Sequence, residues 1–165
     1  MSSKKKSATK TAPTQCTFYV VAVEKIKQVN GIIGPLDLYN VSILLEGTAP
    51  PQETVPAGKN PAAWYADYLK TQGIETKGSA ELGQGMYALY VDTEKTDLGE
   101  FLNVRDVDCA TADADSYAWK TYFIPCHAGT FKEALGFWIC AQKEDVGPLK
   151  LSAIVESAFA AQTYV

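Results

Sequence analysis

The chain has 165 residues, of which 47% are apolar and 21% charged, a balance that excludes wholesale disorder and collagen-like or mucin-like repeats. No window of about 18 uncharged apolar residues exists, so a membrane-inserted helix is not expected. The net charge of -4 is unevenly spread: residues 1–14 carry Lys4, Lys5, Lys6 and Lys10 and no acid, whereas 15–165 carry 11 bases against 19 acids.

The expected organisation is a basic N-terminal arm, 1–14, followed by a single β-rich domain, 15–165. The arm consists mainly of Ser, Lys, Ala and Thr and has too little apolar surface to offset the entropy of ordering it alone. A flexible basic arm suits a phosphate backbone or an acidic neighbour, whereas the acidic body repels nucleic acid. Cysteines at 16, 109, 126 and 140 permit two disulfides in three pairings. The start of the chain lacks the apolar run of a signal peptide, so the cysteines are expected to be mostly reduced, in an intracellular or virion-borne protein.

Gln15–Val23 predicts a strand from its aromatic and β-branched residues. Its pattern continues through Ile26 and Val29 to a turn signal at Asn30-Gly31, with Gly34-Pro35 close behind. Leu36–Glu46 predicts a second strand. Its face Asp37, Tyr39, Val41, Ile43 and Leu45 is the cleaner core face, and the other runs Leu36, Leu38, Asn40, Ser42, Leu44. The sequon at Asn40 falls within this strand.

Gly47–Asn60 is interrupted by Pro50-Pro51, Pro56 and Gly58 and reads as a loop. Asn60 to Gln72 predicts the principal helix, with Asn60 as N-cap, Pro61 in the first turn and Gly73 as the stop. Ala62, Tyr65 and Leu69 share one side of it, and Trp64 and Tyr68 form an i,i+4 pair on the adjacent side.

Gly78–Gly85 reads as a loop and Met86–Val91 as a short strand. Residues 92–117 are acidic and irregular, with a brief strand at Phe101–Val104. Tyr117–Ile124 and Leu135–Ala141 predict further strands, and Phe131–Leu135 fits a short helix as an alternative. Gly147-Pro148 turns the chain, and 149–156 favours a last strand. With one helix among five to seven strands and no βαβ rhythm, the expected fold is β-rich α+β: a mainly antiparallel sheet curled into a sandwich or barrel.

Chemistry-bearing residues are sparse. Cys126 beside His127, the sole histidine, offers a thiol and a base, with Cys109 as a second thiol and Gly129 and Thr130 as backbone donors. The ordinary alternative is a loop cysteine beside a packed histidine. Zinc would need Cys109, Cys126, His127 and Cys140, but the spacing lacks the short C-x₂₋₄-C pair. Asp106, Asp108, Asp113 and Asp115 lack the glycine and spacing of a calcium loop. Glu24, Glu46, Glu81 and Glu133 are carboxylates that spacing alone does not pair for glycosidase-like chemistry. Gly83-Gln84-Gly85 is too short for a phosphate-binding loop, and Arg105 is the only arginine. No catalytic, metal or cofactor set is therefore expected.

Nine tyrosines and Trp64, Trp119 and Trp138 remain. Most are accounted for as core. A single amphipathic helix cannot bury Trp64, Tyr65 and Tyr68 together against one sheet, so these three are the interface candidates. The leading expectation is a self-assembling structural subunit, coat- or capsid-like or forming a tube or shell. Its arm would contact a neighbouring copy or nucleic acid through Lys4, Lys5, Lys6 and Lys10. The alternative is an aromatic-lined carbohydrate- or protein-binding module, with a cysteine-dependent enzyme using Cys126 and His127 third.

Overall fold

The computed structural model describes residues 12–31, 34–46, 50–98, 122–126 and 128–141. They form strands β1 (Thr14–Gly31), β2 (Gly34–Leu45), β3 (Gln52–Val55), β4 (Thr76–Gly83), β5 (Met86–Val91), β6 (Tyr122–Pro125) and β7 (Glu133–Ala141), with helix α1 (Pro61–Thr71) between β3 and β4. All seven strands belong to one sheet of order β4-β5-β1-β2-β7-β6, with β3 also paired to β1.

The expected curled, mainly antiparallel sandwich or barrel is not what forms. The sheet is mixed, and it is neither closed nor strongly curled: the path ends at β4 on one side and β6 on the other. The mixed character comes from β1, which pairs antiparallel with β2 and β3 but parallel with β5 over Thr17–Val21 and Met86–Tyr90. Thr17 faces both Gln52 and Met86, so β3 and β5 lie on opposite sides of β1. Val20 and Val21 likewise separate β2 from β5. β2 and β3 therefore occupy one lane, broken between Leu45 and Gln52.

β3 runs antiparallel to β1, and β4 runs antiparallel to β5, which is parallel to β1. β3 and β4 thus point the same way, and the chain must return between them. The return is α1, making β3-α1-β4 a crossover that spans β1 and β5. This is the βαβ unit that strand counting overlooked.

α1 forms where local chemistry directs it. The Asn60 side-chain oxygen accepts the Ala63 N–H at 3.0 Å, and Pro61 occupies the first turn. At the other end the Ile74 N–H donates to Leu69 O at 2.9 Å and the Gly73 N–H to Lys70 O at 3.1 Å, with Gly73 at φ +86°. That is a Schellman stop, which needs a residue free to adopt the left-handed conformation.

Two regions read as loops contain strands. β3 is only four residues long, and Val55 is its one fully buried residue. β4 is a largely exposed edge strand, so it carries no apolar alternation. It joins β5 through Gln84-Gly85, both at positive φ, in the two-residue hairpin geometry that matches strand twist. Asn30-Gly31 is not itself the turn: both residues stay in the ladder, facing Pro35 and Gly34. The short-helix alternative at 131–135 fails because Glu133–Leu135 pair with β2. The expected strands at 101–104 and 149–156 lie outside the described residues, as does the start of the one expected from Tyr117.

Both faces of the central strands are buried. Phe18, Val20, Leu44, Leu89 and Val91 lie on the α1 side, and Val21, Val41, Ile43, Leu45, Ala88 and Leu135 on the other. The face of β2 that changes from apolar to polar and back along the sequence stays in the core from Leu38 to Leu44, including Asn40 and Ser42, which share a 3.0 Å hydrogen bond donated by the Ser42 hydroxyl to Asn40 Oδ1. Such a bond offsets the cost of removing polar groups from water. At 1% exposure, the sequon asparagine is closed to glycosylation in the folded chain.

The turn between β6 and β7 abuts the end of α1. A Cβ on Gly129, at φ +58°, would stand 2.7 Å from Gln72 O and 2.8 Å from Gln72 Cβ. Gly129→Ala should cost about 2 kcal/mol or more in urea unfolding, since it combines a clash with a left-handed backbone. Gly58→Ala is the control. It has positive φ but nothing within 4 Å, so it should cost only about 1 kcal/mol. Equal losses in the two variants would contradict this packing.

Candidate functional site

Among the described residues the most developed surface feature is where α1 crosses β1 and β5. Phe18 is fully buried and stacks on Tyr65 at 4.0 Å between ring centroids and 1° between planes. Tyr87, facing Phe18 across the parallel ladder, adds a ring at 5.8 Å. Trp64 lies 6.5 Å from Phe18 and 6.2 Å from Tyr65, and Tyr68 lies 5.3 Å from Tyr65. Trp64, Tyr68 and Tyr87 are only partly buried, so each has one side against the stack and another at the surface.

Helical spacing explains the division. Tyr65 and Leu69 point at the sheet, and Tyr65 is 1% exposed. Of the three interface candidates, Trp64 and Tyr68 reach the surface, while Tyr65 supports them from beneath. Phe18 and Tyr87 were not singled out from sequence. Their alternation in two apolar strands was the available signal, but their meeting depends on a pairing between distant segments.

The register also places carboxylates on this face. Glu53 faces Cys16, and Glu81 faces Tyr87, so the two flank the Tyr87–Phe18 row from β3 and β4. Burial, then Tyr68, Glu53 and Glu46, holds the Tyr65 phenol well above its ordinary range. Burial, then Glu81 and Cys16, raises that of Tyr87. Both rings therefore stay neutral across the physiological range.

The other candidates do not converge. Cys126 is a free thiol at 5% exposure within the core on the α1 side. Burial pushes its pKa up, against a smaller lowering from a hydrogen bond with the Ala128 backbone. That is the reverse of an activated nucleophile. Cys16 is likewise free, buried and raised. His127, Cys109, Arg105, Trp119, the four aspartates 106, 108, 113 and 115, and Lys4, Lys5, Lys6 and Lys10 lie outside the described residues. Cys140 pairs with Leu38, and Trp138 with Asn40, in the β2–β7 ladder. Glu24 faces Asn40 and Glu133 faces Leu45 across their ladders. Among the described residues no three metal-ligand side chains cluster, and no helix is long and apolar enough to cross a membrane.

No protein-family model matches the chain, and no characterised protein or solved structure matches it.

The buried thiols give a test. Cys16 and Cys126 should resist a thiol-specific reagent at pH 8 in the folded protein and react on unfolding, as read by peptide mass mapping. Rapid native labelling of Cys126 would restore thiol chemistry as a reading. Their ordinary thiol value is 9.0, and that of the tyrosines 10.0. Because folding raises these values, the groups do not affect stability below the unfolded values. The unfolded chain ionises first as pH rises. The melting temperature should therefore fall from about pH 9 upward, and a rise there would contradict the burial.

Proposed function

We propose that this chain is a non-catalytic binding module that holds a segment of a partner protein on the Trp64–Tyr68 ridge. The observation that carries this reading is the half-buried placement of Trp64, Tyr68 and Tyr87 on a base already locked by the Phe18–Tyr65 stack. Rings fixed in this way lose little conformational freedom when a partner covers them. Tryptophan and tyrosine are the side chains that most often anchor protein interfaces. The rings meet at 36–39° around Tyr65 rather than sharing one plane. This suits a side chain inserted beside them better than a flat sugar ring laid across them.

The guarded β4 edge favours this reading over strand-to-strand assembly through that edge. β4 is interrupted by irregularities between Thr76 and Gly78 and between Glu81 and Gly83. It also carries Lys77 and Glu81. Bulges and charges are the devices that stop an edge from recruiting another strand.

Peptide display tests the proposal. A random dodecapeptide library selected on the immobilised chain should enrich sequences whose affinity falls at least tenfold on Trp64→Ala or Tyr68→Ser. Circular dichroism checks that the variants remain folded, and Trp64→Phe retains a ring if Trp64→Ala does not fold. The same sequences emerging from selection on wild type and on folded ridge variants would overturn the proposal. So would retention of neutral oligosaccharides that depends on Trp64 in place of peptide binding.

A further inference from the structure

The ridge has a chemical polarity that narrows its partner. Glu53 and Glu81 stand on the ridge's face of the sheet, one on each side of the Tyr87–Phe18 row. On α1, helical spacing carries Trp64, Tyr68 and Thr71 along one flank and Ala66 and Lys70 along the other. The helix's own cation therefore lies away from the rings. Aromatic faces bordered by carboxylates attract an ammonium group twice, through the ring quadrupole and through charge.

We infer that the ridge selects lysine-rich segments, and that the chain's own basic arm, carrying Lys4, Lys5, Lys6 and Lys10, docks on it within the same molecule. This rests on the ridge being a protein-binding surface. Three observations beyond the ridge itself support it. First, β1 begins at Thr14, paired with Val55 in the strand that carries Glu53, and Phe18 is four residues further on, about 13 Å along the strand. Second, the chain is placed from Ala12 onward, and the four lysines lie two to eight residues before it, a reach of roughly 7–28 Å. Lys4, Lys5 and Lys6 can thus double back as far as Phe18, about 20 Å from Ala12 along the strand. Third, the arm is positive and the remainder of the chain is acidic. Covalent tethering gives the arm an effective concentration on the order of millimolar, so even a weak contact is well populated. The arm then acts as a resident competitor, displaced by a better basic segment from a partner.

The test uses full-length protein and the Trp64 indole N–H resonance, assigned with Trp64→Phe. Replacing Lys4, Lys5, Lys6 and Lys10 together with Gln should shift that resonance at any protein concentration. A peptide of residues 1–14 added to this variant should reverse the shift, and its all-Gln counterpart should not. Combining Glu53→Gln with Glu81→Gln should weaken the peptide at least fivefold, and raising salt should do the same. Peptides selected on the ridge should bind the all-Gln-arm variant at least threefold more tightly than wild type.

An unmoved Trp64 resonance on replacing the lysines would overturn the inference. So would peptide affinity unaffected by the two Glu→Gln changes. A dependence of the shift on protein concentration would also overturn it, by assigning the arm to a second copy. An arm that binds single-stranded oligonucleotide yet leaves Trp64 unmoved in its absence would assign the arm to nucleic acid. If display still yields Trp64-dependent peptides in any of these cases, the docking inference fails alone. If it does not, the binding-module reading fails with it.

Discussion

The contact between Phe18 and Tyr65 is the constraint from which the rest of this structure follows. Among the described residues it is the tightest ring pair, 4.0 Å apart and parallel, with both partners out of solvent. Phe18 belongs to the strand shared by three neighbours, and Tyr65 to the helix that carries the chain across it. Joining them fixes the roll of α1 on the sheet. With that roll fixed, Leu69 goes into the core while Trp64 and Tyr68 are left at the margin. A roll of one residue would exchange the buried and marginal rings and erase the ridge.

The crossover supplies the reason such a helix exists. β3 and β4 point the same way on opposite sides of β1 and β5, and a chain that must return over two strands does so most readily as a helix. The return deposits an amphipathic element on the row formed by Phe18 and Tyr87. Strand register then adds Glu53 and Glu81 without any loop being involved. The candidate surface is thus built on regular elements, which hold geometry more closely than loops do. Cys16 and Cys126 lie in the core beneath it as small apolar side chains.

What was legible in the sequence was what local chemistry decides. Asn60, Pro61 and Gly73 mark the helix because capping and stopping act over a few residues, and the i,i+4 relation of Trp64 and Tyr68 marks the ridge. β1, β2, β5 and β7 announced themselves through apolar runs. β3 and β4 did not, since a short strand and an exposed edge bury too little to leave a pattern. Curling was inferred from the run of strands alone, but closure depends on which strands meet. The parallel pairing of β1 with β5 joins segments separated by the whole crossover, and no local signal encodes it. Asn40 and Ser42 interrupt the apolar run of one β2 face, a pattern that fits a change of environment along the strand, yet here they share a hydrogen bond inside the core. The same non-local pairing hid the company of Phe18, Tyr87 and Glu81, so the ridge was visible as a helix face and not as a site.

The measurement that bears most directly on this account is a double-mutant cycle in urea unfolding, using Phe18→Leu, Tyr65→Leu and the pair. If the two rings join α1 to the sheet, the changes should be non-additive, with a coupling of about 1 kcal/mol favouring the native pair. Free energies that add to within about 0.3 kcal/mol would show that the rings act independently, and the helix would then have to be held in place by something else.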